Sequence, residues 1–144
     1  MKKVLLVEDD HLQAEGIRSK LREEFPDLQI NTISTEAAFR AALDEIAAAG
    51  YSVAIVDVML RWADAAPNMP DPPEDVRAGG FFHGGIRFKD ILRSRRETEK
   101  LPIIFYSVLD SGKLAPEETG DAEFVPKASG FTGLIEAVKR HLES

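Results

Sequence analysis

Short apolar runs alternating with helical patterns predict an α/β fold built on a doubly wound parallel sheet. Two observations carry this expectation. Three of the runs, Val4–Val7, Val53–Val56 and Ile103–Tyr106, are continuous and rich in Val, Ile and Leu. Strands buried on both faces read this way, as in parallel sheets covered by helices on each side. Between the runs lie segments whose apolar residues recur at helical spacing, and such alternation implies right-handed crossovers.

The elements follow in order. After Val4–Val7, the segment His11–Phe25 places Ala14, Ile17, Leu21 and Phe25 on one helical face. The run Leu28–Ile33 is more polar and reads as an edge strand. Thr35–Ala49 carries the stripe Ala38, Phe39, Ala42, Leu43 and Ile46, with Ser34 as its expected N-cap. Gly50 sits where a helix stops. Gly85–Arg96 offers Phe88, Ile91 and Leu92. Asp110–Gly120 has room only for a short helix, limited by Pro116 and the flanking glycines. Phe124–Val125 is a short fifth strand. Pro126 beside it donates nothing to a ladder and so favours an edge. Ser129 is placed to cap a last helix with Phe131, Leu134, Ile135, Val138 and Leu142 on its apolar side.

The 144 residues suit one domain, 1–144, with a sizeable core and no room for a second. A hydrophobic fraction of 44% with 30% charged residues excludes a disordered chain. No apolar run approaches the roughly 18 residues of a membrane span. The four apolar residues Val4–Val7 are too few for a signal-peptide core, so a cytoplasmic address is expected. The absence of Cys excludes disulfides and thiolate metal sites. A net charge of −7 argues against a general nucleic-acid surface, because phosphates need Lys and Arg.

One segment breaks the pattern. Val58–His83 holds four of the eight prolines, Pro67, Pro70, Pro72 and Pro73, plus Gly79 and Gly80. It far exceeds the roughly 2–6 residues usual between a strand and a helix. It reads either as a lid or partner-specific surface anchored by Trp62, Phe81 and Phe82, or as a mobile insertion.

Ligands of open α/β sheets bind outside the carboxyl ends of the strands. Here those ends carry Glu8-Asp9-Asp10, Asp57, Ser107 and Lys127. Carboxylates so close repel unless something neutralises them. Mg²⁺ is the natural candidate, since it takes carboxylate oxygens and keeps several waters. A carboxylate beside it attacks a phosphoryl group to give an acyl phosphate, while a Lys and a hydroxyl bind the phosphoryl oxygens. Asp10 is explained as an acid at the start of a helix, favoured by the dipole. His11, His83 and His141 show no metal spacing.

Val7-Glu8-Asp9-Asp10, Ile55-Val56-Asp57-Val58-Met59, Phe105-Tyr106-Ser107 and Phe124-Val125-Pro126-Lys127, in this order, together resemble the receiver domain of two-component response regulators. The resemblance covers almost the whole chain apart from the long insertion at about 58–83. It implies a flavodoxin-like sheet of five strands in the order 2-1-3-4-5. It implies Asp57 as phosphoacceptor, with Mg²⁺ held by Asp9, Asp57, the backbone carbonyl of Met59 and, mainly through water, Glu8. Ser107 is then the switch hydroxyl, Lys127 the phosphoryl partner and Phe124 the switch aromatic. The implied protein is a stand-alone signalling phosphoacceptor, not an enzyme in the ordinary sense. Its phosphoryl source is a histidine kinase or histidine phosphotransfer protein, and its output passes to a downstream protein partner. It is expected as a monomer or a phosphorylation-dependent homodimer, with no nucleic-acid or membrane partner.

Three departures qualify the resemblance. Ala128 follows Lys127 where the family usually has Pro after a cis bond, and a cis bond before a non-proline residue costs roughly 2.5–4 kcal/mol. The segment before the fifth strand is short. The insertion leaves the strand that bears Asp57 at the catalytic end. A second reading is therefore a phosphorylation-independent pseudo-receiver acting as a protein-interaction module. A third, an aspartyl-nucleophile phosphohydrolase, needs an acid two residues after Asp57, where Met59 stands.

Overall fold

Every residue of Val4–Val7, Val53–Val56 and Ile103–Ser107 is buried, because these runs form the centre of the sheet. A computed structural model describes residues 2–80 and 83–143. Strands β1 (Lys3–Val7), β2 (Gln29–Ile33), β3 (Val53–Val56), β4 (Ile103–Ser107) and β5 (Glu123–Pro126) pair in parallel in the order β2-β1-β3-β4-β5. The two runs expected at edges, β2 and β5, are the edges, and both are partly exposed.

The two-residue period of the strands divides the core into two layers. Leu5, Val7, Ala54, Val56, Ile103 and Phe105 face one side with Phe39, Phe88 and Leu92. Val4, Leu6, Val53, Ile55, Ile104 and Tyr106 face the other with Ile17, Leu21, Leu134 and Val138. Helices α1 (His11–Glu24) and α7 (Phe131–Glu143) cover this second side. Helices α2 (Glu36–Ala41), α3 (Leu43–Ala49) and α5 (Gly84–Arg93) cover the first. There Phe39 and Phe88 meet edge to face at 4.7 Å. Between them in sequence, α4 (Glu74–Gly79) lies within the insertion, and α6 (Pro116–Thr119) is the short helix before β5. Among the described residues, no helix is long and apolar enough to cross a membrane.

Several local expectations change. Thr35, not Ser34, caps α2, its hydroxyl accepting the Ala38 N–H. The start is set from outside: the Glu36 and Ala37 N–H groups donate to the carbonyls of Arg61 and Trp62 at 2.8 Å each. The expected single helix over 35–49 breaks at Ala42 into α2 and α3. Gly50 closes α3 in the left-handed conformation, at φ +70°. Ser129 does not cap α7. It ends a 3₁₀ turn, Lys127–Ser129, and its hydroxyl donates to the Pro126 carbonyl. The Lys127–Ala128 bond is trans, so the chain needs no strained peptide to present Lys127.

The insertion is tied down. Trp62 is buried, its indole N–H donates to the Pro70 carbonyl, and the Arg40 guanidinium lies 5.7 Å from its ring. The fully buried Glu36 carboxylate accepts from Arg87 at 2.7 and 2.8 Å and from Arg40 at 2.9 Å. Arg40 reaches on to Asp75 of α4, and Arg87 to the Gly80 carbonyl. A buried carboxylate needs such partners. Here they fasten both ends of α4 to α2 and α5. Phe81 and Phe82, the other two expected anchors, lie outside the described residues.

Candidate functional site

Parallel register brings the strand ends together. Val7 pairs with Val56, so Glu8 and Asp57 leave the sheet side by side. The Asp57 N–H donates to the Val7 carbonyl at 2.9 Å, and the Glu8 N–H to the Ile33 carbonyl at 3.0 Å. Ser107 ends β4 and Pro126 ends β5 beside it, which places Lys127 next in line.

The side chains converge on Asp57. Its Oδ1 accepts the Ser107 hydroxyl at 2.9 Å and the Met59 N–H at 3.1 Å. Its Oδ2 faces Lys127 Nζ at 3.4 Å. The Ser107 oxygen in turn accepts the Leu109 N–H at 3.3 Å. Lys127 Nζ donates more closely to Glu8 Oε1, at 2.6 Å. Glu8 Oε2 accepts the Asp10 N–H at 3.2 Å, while Asp10 itself caps α1 through Leu12 and Gln13. Asp9 Oδ2 accepts the Arg61 N–H at 2.9 Å, with Arg61 Nε 3.5 Å away.

Burial makes this a high-energy cluster. Glu8, Asp57 and Ser107 are buried. Burial pushes the Glu8 carboxyl up to about 7, the Asp57 charge pushes the same way, and Lys127 opposes both. Lys127 shows the converse balance: burial disfavours its charge, but its bond to Glu8 and the nearby Asp57 hold it above the ordinary lysine value.

One oxygen each of Glu8, Asp9 and Asp57 lies within 4.8 Å of the others. The three carboxylates outnumber the two cations beside them, the Lys127 ammonium and the half-exposed Arg61 guanidinium. All three offer hard oxygen donors, the set that Mg²⁺ prefers. The residues present therefore fit such an ion. On one flank of Lys127, Gln13, Tyr106, Val108, Ala128, Gly130 and Phe131 line a groove of about 390 Å³.

Glu8, Asp9, Asp57, Ser107 and Lys127 are thus gathered in one place, with Met59 entering through its N–H. Phe124 stands apart. It is half-buried, pairs with Phe105 across β4 and β5, and packs on the core layer of Phe39 and Phe88. Two features were missed from sequence. Arg61 meets Asp9 only because the insertion turns back toward β1, and no local motif signals that. Gly85 lies against the Asp57 backbone. Its N–H donates to the Val58 carbonyl at 3.0 Å, and a Cβ there would stand 2.3 Å from the Asp57 carbonyl oxygen. The Gly84-Gly85 pair at the start of a helical pattern was the available signal.

No protein-family model and no curated protein matches the chain. Solved structures do. The response regulator TrrA of Thermotoga maritima, in complex with Mg²⁺ and BeF, is 22% identical over 98% of this chain and 99% of that one, with a TM-score of 0.67. TrrA in complex with the histidine kinase ThkA matches at 22% identity over 99% of each chain, with a TM-score of 0.68. The signal receiver domain of a DNA-binding response regulator from Colwellia psychrerythraea matches at 19% identity over 100% of both chains, with a TM-score of 0.70. The α/β fold, the strand order and the full-length coverage agree: this chain has the fold of a response regulator receiver domain.

Proposed function

We propose that residues 1–144 act as one phosphoacceptor receiver in two-component signalling, with Asp57 as the phosphorylated residue. The observation that carries this reading is the set of contacts at Asp57. One carboxylate oxygen is bound by Ser107 and the Met59 N–H, and the other faces Lys127, beside Glu8 and Asp9.

In the proposed reaction an Asp57 oxygen attacks phosphorus. The P–N bond to a donor histidine breaks, and its electron pair stays on the imidazole nitrogen, which takes up a proton. The Lys127 ammonium and the Ser107 hydroxyl donate to the phosphoryl oxygens. Glu8, Asp9, Asp57 and the Met59 carbonyl would hold Mg²⁺, which when bound neutralises charge on the carboxylates and the transferring group. Ser107 then leaves its bond to Asp57. Phe124, on the neighbouring strand, is the residue assigned to pass that movement to the surface.

The donor assigned is a histidine kinase or phosphotransfer protein, as with the kinase-bound regulator similar in fold. The address assigned is the cytoplasm, the output a downstream protein, and the chemistry self-phosphorylation and autodephosphorylation at most. Of the three features behind the pseudo-receiver reading, Ala128 is compatible with the phosphoacceptor reading, because Lys127 faces Asp57 with a trans bond before Ala128.

The test is incubation with Mg²⁺ and a small acyl-phosphate donor, read by intact mass. Wild type is expected to gain one phosphate and Asp57→Asn none. No gain in wild type, or an equal gain in Asp57→Asn, overturns the reading.

A further inference from the structure

Arg61 joins the acidic cluster to the insertion. Its N–H and its Nε both address Asp9 Oδ2, at 2.9 and 3.5 Å. Its carbonyl accepts the Glu36 N–H, and the next carbonyl, of Trp62, accepts the Ala37 N–H. The backbone at Arg61 is thereby fixed to the start of α2. The guanidinium is not: the side chain is 52% exposed, and Nη1 lies 3.7 Å from Asp64. Lys127 differs, being only 10% exposed and wedged between Glu8 and Asp57.

We propose that Arg61 is a built-in competitor for the cation site, and that its guanidinium must leave Asp9, keeping only Asp64 or water as partner, before a divalent cation takes the cluster fully. This rests on the reading of the site as a Mg²⁺-dependent receiver and concerns the regulation of that same site. The argument is electrostatic. A guanidinium beside one ligand carboxylate lowers the negative potential that attracts the ion. Because the Arg61 side chain is half exposed, the competition is modest. Because Nη1 already lies near Asp64, the side chain keeps a charged partner when it leaves Asp9. The insertion thus sets the Mg²⁺ concentration at which the site fills.

The experiment is calorimetric titration of the full chain with MgCl₂, without any phosphodonor, with emission of the single tryptophan, Trp62, followed in parallel. Arg61→Ala and Arg61→Gln are expected to bind Mg²⁺ about two- to fivefold more tightly than wild type, the worth of an exposed ion pair. Arg61→Lys keeps the charge and stays near wild type. Asp64→Ala removes the alternative partner and binds more weakly. Equal or weaker binding by Arg61→Ala and Arg61→Gln overturns the proposal, as does binding by Arg61→Lys as tight as that of Arg61→Ala. Wild type that binds Mg²⁺ normally while the Arg61 variants show no gain leaves the receiver reading standing. Wild type that binds no Mg²⁺ removes both.

Discussion

The Lys127 ammonium lies 2.6 Å from Glu8 and 3.4 Å from Asp57. The cation at the site is therefore held most closely by the neighbour of the candidate phosphoacceptor. Glu8 keeps Lys127 in place and takes up much of its charge, which leaves Asp57 Oδ2 the less tightly bound oxygen.

This geometry makes Lys127 a structural as well as a chemical residue. Lys127→Met leaves Glu8 and Asp57 facing each other with no compensating charge. Removing one partner of a buried pair costs about 3–5 kcal/mol, and the partial exposure of Lys127 places this case near about 3 kcal/mol. Glu8→Gln combined with Lys127→Met is expected to cost less than the two changes summed, because the two side chains share one interaction. Urea unfolding in chelator measures both. Strict additivity would show that the pair is not coupled.

The Glu8 carboxyl also gives a pH signature. Its folded pKa, about 7, lies above the ordinary value of 4.5. A carboxyl raised in this way supports folding fully below its unfolded pKa, and that support is lost as pH rises through the folded pKa. The window is thus about pH 4.5 to 7, with stability falling toward neutral pH. Lys127 is raised above 10.5, so its own loss comes at higher pH and does not overlap. Asp75 is lowered by Arg40, so its contribution is lost below the window. In chelator, the wild-type unfolding midpoint should drop from pH 5 to pH 8 more steeply than that of Glu8→Gln. Parallel profiles would contradict the assignment.

Most of the site was legible in the sequence because it sits where regular structure ends. A parallel strand delivers its last residue to a known edge, so Glu8, Asp57, Ser107 and Lys127 follow once the strands are placed. The edge positions of β2 and β5 were legible from polarity and Pro126. The N-cap of α2 was not, because the Arg61 and Trp62 carbonyls set where that helix starts. Arg61 at Asp9 and Arg87 at Glu36 were not legible for the same reason. Each joins residues 51 or 52 positions apart through an insertion without periodic pattern.

The clamp on the insertion separates a buried from an exposed contribution. Arg87→Ala leaves the fully buried Glu36 carboxylate with Arg40 alone. A loss of about 3 kcal/mol is expected, since a buried carboxylate loses its two-point partner. Asp75→Ala removes only a partner that is 56% exposed, and should cost under about 1 kcal/mol. Both are read by denaturant midpoint. Trp62 emission should shift in Arg87→Ala, because Arg40 is then drawn toward Glu36 and away from the indole. A loss for Asp75→Ala as large as for Arg87→Ala would place the anchoring on α4 rather than on Glu36.

Gly85 tests how tightly the fold holds the loop of the candidate phosphoacceptor. It is the second residue of α5 and lies against the chain just past β3, where an added Cβ would meet the Asp57 carbonyl oxygen at 2.3 Å and Val58 Cα at 2.7 Å. Both are backbone atoms, so no side-chain rotation relieves the clash. Either α5 moves off the sheet, losing the packing of Phe88 and Leu92, or the Asp57–Val58 peptide moves. Overpacking of this kind costs about 1–3 kcal/mol, occasionally more, and here it falls on the loop that presents Met59 N–H to Asp57. Gly85→Ala is therefore expected to lower the unfolding midpoint and to slow phosphate uptake at Asp57 together. Gly50→Ala serves as the control: its Cβ would meet nothing within 4 Å, and only its φ of +70° opposes the change. It should lower stability by about 1 kcal/mol and leave uptake unchanged. If Gly85→Ala takes up phosphate at the wild-type rate with an unchanged midpoint, the close approach of α5 to the Asp57 loop is not what positions the site.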